Sequence, residues 1–492
     1  MKKLFIIALS LISLVGCNDY LDVNKDPNNP VEMDNKLLIP SAQGFIAAVV
    51  GGDMHNTAAF MAQYCDQMPE ANQYNNLAEY SFQTDLFNRS YSNLYSGALK
   101  DLDIIRNQAS AKGLAGDYFI ATVLRAYTFQ VLSDYLDKAP YSEALQGSSN
   151  PMPKWDNGED IYAGILSELN EAQSKLGNAP AVSGGDLMYE GNINKWIQFA
   201  NALRLRIYMR SSTVQDNSAK IKALIDEGNF FSGDVKMDVF ADEESKRNPW
   251  YQTNAISLAK NHVGSYPIIS YLKATTDPRI ASMFVVAKKS GEYEGMLPGS
   301  KTQLINTNKN DAYSGLVYYA KMPVYFITQS ELQFFLAEAY LRFYNDDAKA
   351  KASYEAAIDA NFYTTRELNP ETFKISDIIQ PGRPTAWDSA ASIDDKLRLI
   401  GMQKWVALCM INNTEAWSEV RRMNYPKLSS KTAEEINTSA TGYIAGDMIA
   451  PWVNTLGEQN LVKSLWYPQR AVDLNKNTPA QKKLTDPVWW DK

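Results

Sequence analysis

Residues 397–426, LRLIGMQKWVALCMINNTEAWSEVRRMNYP, decide the fold. Met402, Trp405, Val406 and Cys409 fall at i, i+3, i+4 and i+7, the apolar stripe of an amphipathic helix. Asn412 and Asn413 interrupt the stripe, and Thr414, Trp417, Val420 and Arg421 restart it. Pro426 lacks the N–H that a helix interior needs, so the second segment stops before it. The local reading is two helices with a break between them.

The stripe recurs outward along the chain. Ile120, Val123, Leu124, Tyr127 and Val131 carry it, as do Trp196, Phe199, Ala200, Leu203 and Ile207. Leu332, Phe335, Leu336, Ala339 and Phe343 carry it again. One-sided helices bury such stripes against one another, which predicts a helical stack. Residues 329–361 read as one tetratricopeptide-type unit, with a first helix ending near Tyr344 and a turn at Asn345-Asp346-Asp347. Ala350, Tyr354, Ala357 and Ile358 line its second helix, and its length approaches the ~34-residue period of such repeats. No strict repeat continues, so the units are degenerate.

Long segments separate these helices. Residues 178–186 (NAPAVSGGD) are a loop by composition. Residues 230–322 carry scattered Gly, Pro and Asn, with alternating runs such as Leu316-Val317-Tyr318-Tyr319 that read as small strands. Residues 364–388 and 428–492 are similar, and all hold too many aromatics for disorder. The expected fold is mostly α: a degenerate tetratricopeptide-like helical scaffold with a loop-rich irregular lobe containing a few short strands. A single domain is expected over 36–492, with the scaffold mainly at 36–227 and 325–425. The lobe is expected mainly at 228–324, 364–392 and 426–492.

Residues 1–16 read as a signal peptide and 17–35 as a tether. Lys2 and Lys3 precede an apolar run from Leu4 to Val15, too short to span a bilayer. Leu14-Val15-Gly16-Cys17 resembles a lipobox, which makes Cys17 the expected lipidation site; the alternative is an ordinary cleaved signal with a coincidental cysteine. No later run of about 18 apolar residues is evident, so attachment to the membrane is expected by lipid alone. Cys65 and Cys409 remain. Two buried thiols are expected, with a disulfide between them left open. Asp22, Asn24, Asp26 and Asn28 alternate as calcium-loop ligands do, but Pro27 occupies the place of the loop glycine and Met33 that of the bidentate glutamate. A turn-forming tether is the better reading, and no metal or cofactor is expected.

Several pieces recur together. They are Gln403-Lys404-Trp405-Val406-Ala407-Leu408, Glu415-Ala416-Trp417, Arg421-Arg422, Tyr425-Pro426, residues 196–210 (WIQFANALRLRIYMR), Asn248-Pro249-Trp250-Tyr251, Asp277-Pro278-Arg279, and Trp466-Tyr467-Pro468-Gln469 followed by Asn475. This pattern resembles the SusD/RagB family of nutrient-binding outer-membrane lipoproteins. Residues 134–144 (DYLDKAPYSEA) resemble the family's turn, with Leu136-Asp137-Lys138 in place of its usual Tyr-Gly-Asp. The resemblance implies a lipid-anchored protein facing the cell exterior that captures glycans, or oligopeptides on the RagB side. It also implies a TonB-dependent, SusC-like outer-membrane transporter as partner, with the lipoprotein as a lid.

The residues agree with binding rather than catalysis. A net charge of −8 argues against a nucleic-acid footprint. The two histidines, His55 and His262, lack the nucleophile, zinc and nucleotide motifs that would give them a catalytic setting. Asp242-Glu243-Glu244 and Asp394-Asp395 read as solvated faces or helix starts. Tyrosine and tryptophan are plentiful, at 28 and 10 residues, and such rings suit surfaces that are dry on one side and wet at the edge. Candidate ligand contacts are therefore loop aromatics: Trp250 and Tyr251 beside Asn248 and Gln252, then Tyr74 and Tyr80 in EANQYNNLAEY, then Trp387. Trp196, Trp405 and Trp417 lie on helix stripes and read as core, while Arg204, Arg206 and Arg210 read as surface or inter-helix ion pairs. A helical-repeat adaptor without a small ligand is the remaining alternative.

Overall fold

The computed structural model describes residues 33–304, 307, 309–368, 374–457 and 459–491. Cys17 and the alternating run from Asp22 to Asn28 lie outside the described residues. Twelve helices of eight residues or more occur among the described residues. They are α1 (Asn35–Ala48), α2 (Met54–Met61), α3 (Lys100–Lys112), α4 (Ala115–Leu136), α5 (Gly158–Ser174), α6 (Ile193–Ser211), α7 (Ser218–Glu227), α8 (Tyr266–Ala274), α9 (Gln329–Ala339), α10 (Asp347–Leu368), α11 (Ile393–Leu408) and α12 (Asn413–Met423). Three antiparallel two-stranded pairs accompany them: β1 (Cys65–Gln67) with β5 (His262–Gly264), β2 (Lys138–Ala139) with β3 (Asp156–Asn157), and β4 (Val235–Met237) with β6 (Val324–Ile327). The mostly helical architecture with a few short strands is as the sequence predicts.

The helix pair read from residues 397–426 is α11 and α12. Ser392 and Asp395 cap the start of α11 reciprocally. Asn412, which breaks the apolar stripe, is the cap of α12: its side chain accepts from the Glu415 N–H. Asn424, in the left-handed region at φ 54°, ends α12 before Pro426. The turn at Asn345 has the same φ of 54° and joins α9 to α10. Asp137, at φ 69°, ends α4 and hands the chain to β2, so the departure at Leu136-Asp137-Lys138 still makes a sharp turn.

Leu316-Val317-Tyr318-Tyr319 is not a strand. Leu316 bridges only Phe284, because the neighbouring segment Ile280–Met283 is helical and offers no extended partner. The stretch from Asn35 to Met61 also departs from expectation. An 18-residue window within it has a mean hydropathy of 1.4, enough for a membrane span, yet 61% of that window is buried inside the fold. It is bent at Gly52 (φ −118°, ψ −106°), next to Gly51. A Cβ on Gly51 would stand 2.4 Å from Val324 Cγ2, so β6 packs directly on this bend.

An ionic cluster holds the scaffold together from within. Arg206 pairs with Glu331 at 2.7 Å, and Arg210 pairs with Asp134, with Glu415 and, at 3.1 Å, with Glu419. Glu419 also meets Lys404 and Arg422, each at 2.8 Å, and Arg422 reaches Glu338 at 2.5 Å. All these side chains are buried, so each charge needs its partner. Burial alone would raise the Glu419 carboxyl; Arg422, Lys404 and Arg210 hold it well below the usual range. Helices α4, α6, α9, α11 and α12 are thereby fixed to one another. Arg206 and Arg210 are inter-helix pairs as predicted, buried and not superficial, whereas Arg204 bonds Asn170 and Asn201. Cys65 and Cys409 are both buried and free.

Candidate binding clefts

Where α1 bends into α2, the chain meets two other segments: residues 72–90 and the helical turn at Pro249–Tyr251 that runs on to Ser257. Asn248 starts that turn, its side chain accepting from the N–H groups of Trp250 and Tyr251. Trp250 points inward and is 3% exposed. Its indole Nε1 donates to Asn56 at 3.1 Å, and its ring meets His55 edge-on at 4.7 Å and Tyr318 at 5.1 Å. His262 completes the cluster: Tyr74 stacks on it at 4.8 Å with 6° between the planes, and its Nδ1 lies 2.7 Å from the Tyr318 hydroxyl. Burial lowers both histidines to about 3, so both are neutral.

This aromatic cluster backs a cleft of about 340 Å³. Its floor is Tyr74, Leu77, Phe87 and Tyr135, and its mouth carries Asp53, Gln73, Asn76 and Arg89. Arg89 Nε stands 3.7 Å from Asp53 Oδ2, with both groups largely in solvent. Asn254 lines the inner wall and is already engaged, accepting from the Tyr74 hydroxyl at 2.5 Å and donating to the Trp250 carbonyl. Burial raises the Tyr74 phenol, which stays protonated as that donor. An apolar floor beneath a rim of amide, carboxylate and guanidinium groups suits a ligand with C–H faces and many hydroxyls. Among the described residues no group of three or more His, Cys, Asp or Glu side chains is placed to hold a metal.

The sequence candidates separate on this geometry. Tyr74 lines the cleft and Trp250 stands behind it, with both ring faces covered by protein. Asn248 is buried as the cap, and its Nδ2 donates to the Met322 carbonyl. Tyr251 is half-buried and lines a second cleft on the other side of the turn, together with Tyr318 and Tyr319. Gln252, also half-buried, accepts from Arg247 at 3.4 Å. Tyr80, 2% exposed, packs on Phe82. Trp387 is 2% exposed and belongs to a separate apolar cluster with Tyr354, Phe362 and Leu399 around α10. Gln73 and Asn76 sit in the Asn-rich run that drew attention to Tyr74. Asp53, Arg89 and Asn254 left no signal, because the sequence does not say which segments meet.

Comparison with known proteins then places the chain. The family described as "Starch-binding associating with outer membrane" matches residues 27–443. The chain belongs to this SusD-like family. Solved structures agree at the level of fold. A chitin-binding SusD homologue from Flavobacterium johnsoniae superposes with a TM-score of 0.72 at 20% identity, over 92% of this chain and 98% of its own. A SusD/RagB family protein from Bacteroides thetaiotaomicron gives 0.73 at 19% identity, over 94% and 99%. A structure described as a chitin-binding protein gives 0.73 at 23%, over 93% and 100%. No curated protein matches the chain. Of the pieces that carry the resemblance, Lys404, Glu415 and Arg422 of the decisive stretch, with Arg206 and Arg210 of α6, lie in the buried ionic cluster.

Proposed function

We propose that this protein captures oligosaccharides at the cell surface and delivers them to a TonB-dependent outer-membrane transporter, anchored through a lipid on Cys17. The observation that carries the reading is the cleft between α2, residues 72–90 and the Pro249–Ser257 turn, with its aromatic and apolar floor and its rim of Asp53, Gln73, Asn76 and Arg89. Sugar rings offer flat C–H faces to such a floor and hydroxyls to such a rim. The family's description as starch-binding and two chitin-binding structural relatives support a glycan over a peptide. A binding role without catalysis also fits two histidines that are buried and neutral. The test is a screen of the soluble chain from Asn18 against maltooligosaccharides, chitooligosaccharides, host-type glycans and mixed oligopeptides, read by tryptophan fluorescence. Glycan binding supports the reading. Binding of peptides alone would move the cargo to the RagB side, and silence throughout would favour an adaptor.

A further inference from the structure

The turn from Pro249 to Ser257 separates two clefts rather than bounding one. Thr253 and Asn254 of this turn line the cleft described above, while Tyr251 lines the second, of about 520 Å³. The second cleft also presents Tyr318, Tyr319, Asp238, Asp242 and Lys321. Two of its three tyrosines are held by the protein. The Tyr318 hydroxyl lies 2.7 Å from His262 Nδ1, and the Tyr319 hydroxyl donates to the Ser282 carbonyl at 3.1 Å. The Tyr251 side chain has no such tie: among the described residues it makes no hydrogen bond and no ring contact. Asp238 and Asp242 are exposed and pair with Lys236 at 3.4 Å and Arg247 at 2.8 Å. A carboxylate with one cation partner keeps lone pairs for hydroxyl donors.

The wall between the clefts is thin. Tyr74 at one face stacks on His262, and His262 contacts Tyr318 at the other face. The ring centroids lie 4.8 Å apart from Tyr74 to His262 and 6.4 Å apart from His262 to Tyr318. A monosaccharide fits one cleft or the other, whereas a chain of sugar rings can lie across the turn and enter both.

We propose that the Tyr251–Tyr318–Tyr319 cleft is a second saccharide subsite, so that the ligand is an oligosaccharide draped over the Pro249–Ser257 turn with one end in each cleft. This rests on the glycan reading of the first cleft. Tyr251 supplies a ring face for a C–H surface, and Asp238 and Asp242 accept from sugar hydroxyls. Length selection follows, because only a chain that crosses the wall gains the second set of contacts.

The experiment is calorimetric titration of the soluble chain from Asn18 with maltooligosaccharides and chitooligosaccharides, each from disaccharide to octasaccharide. Affinity for the ladder that binds should rise with length and level off once the wall is crossed. Tyr251→Ala should remove that gain, weakening the long members about fivefold to tenfold and leaving the short members unchanged. Tyr251→Phe keeps the ring and should retain the gain. Affinity that is flat with length, or a Tyr251→Ala variant with the full wild-type gain, would overturn the second subsite while leaving the first cleft intact. Failure of wild-type protein to bind either ladder or the host-type glycans of the screen would overturn the glycan reading and the second subsite together.

Discussion

Lowering the pH should destabilise this protein through its two histidines, His55 and His262, both buried in the cluster behind the cleft and lowered by burial from 6.5 to about 3. In the unfolded chain each binds a proton near pH 6.5; in the folded chain neither does until far lower. The unfolded state therefore holds more protons below pH 6.5, and stability falls as pH falls through the window from 6.5 towards 3. At pH 5 the penalty is one and a half pH units, at about 1.4 kcal/mol per unit. That is about 2 kcal/mol for each histidine and about 4 kcal/mol for the pair. The figure is insensitive to the folded value so long as this lies well below 5. Asp66 and Asp447, raised by burial, act in the opposite sense. The assay is therefore a comparison: urea unfolding at pH 7.5 and pH 5 for wild type and for a His55→Gln/His262→Gln variant. Wild type should lose about 4 kcal/mol more than the variant over that interval. Two histidine ring signals are expected by NMR, and neither should titrate between pH 5 and 8. A ring that titrates near 6.5, or equal losses in the two proteins, would refute the argument.

Other outcomes follow from the same structure. Glu419→Ala leaves Arg210, Lys404 and Arg422 short of a buried counter-charge and should cost about 3–5 kcal/mol in chemical unfolding. Glu419→Gln should cost less, since it keeps the shape and some hydrogen bonds. Trp250→Ala opens a cavity behind the cleft and should destabilise by about 3–5 kcal/mol. Loss of ligand binding in that variant would thus report packing first, so its urea midpoint must be measured beside its affinity. Cys17→Ala should move the protein from the membrane fraction to the soluble fraction; persistence with the membrane would contradict lipid anchoring.

How much was legible depended on whether a signal was local. The 3.6-residue stripes located α4, α6, α9, α10, α11 and α12, although α4 and α12 are buried nearly all round, so there the stripe marks the helical period and not a solvent face. Asn412 was legible as a break, and its role as the α12 cap follows from the same side chain. Leu316-Val317-Tyr318-Tyr319 misled because alternation describes a half-buried segment without saying whether a partner strand exists. Trp250 illustrates the harder case. Its segment lacks helical periodicity, yet the ring is buried by His55, His262 and Tyr318, which lie 195, 12 and 68 positions away in the chain. The cleft combines residues 52–57, 73–90 and 253–258 with Tyr135 and Leu465. Only folding brings those segments together, so Asp53, Arg89 and Asn254 could not be read in advance.

The most direct test of glycan capture at this cleft is a titration of the soluble chain from Asn18 with the ligand found in the screen, comparing wild type with an Asn76→Ala/Arg89→Ala variant. Both residues lie at the cleft mouth, outside the buried ionic cluster and the aromatic wall, so the variant should unfold at the wild-type urea midpoint. The account predicts that its glycan affinity falls at least tenfold, about 1.4 kcal/mol or more. Wild-type glycan affinity in that variant would contradict the cleft as the capture site.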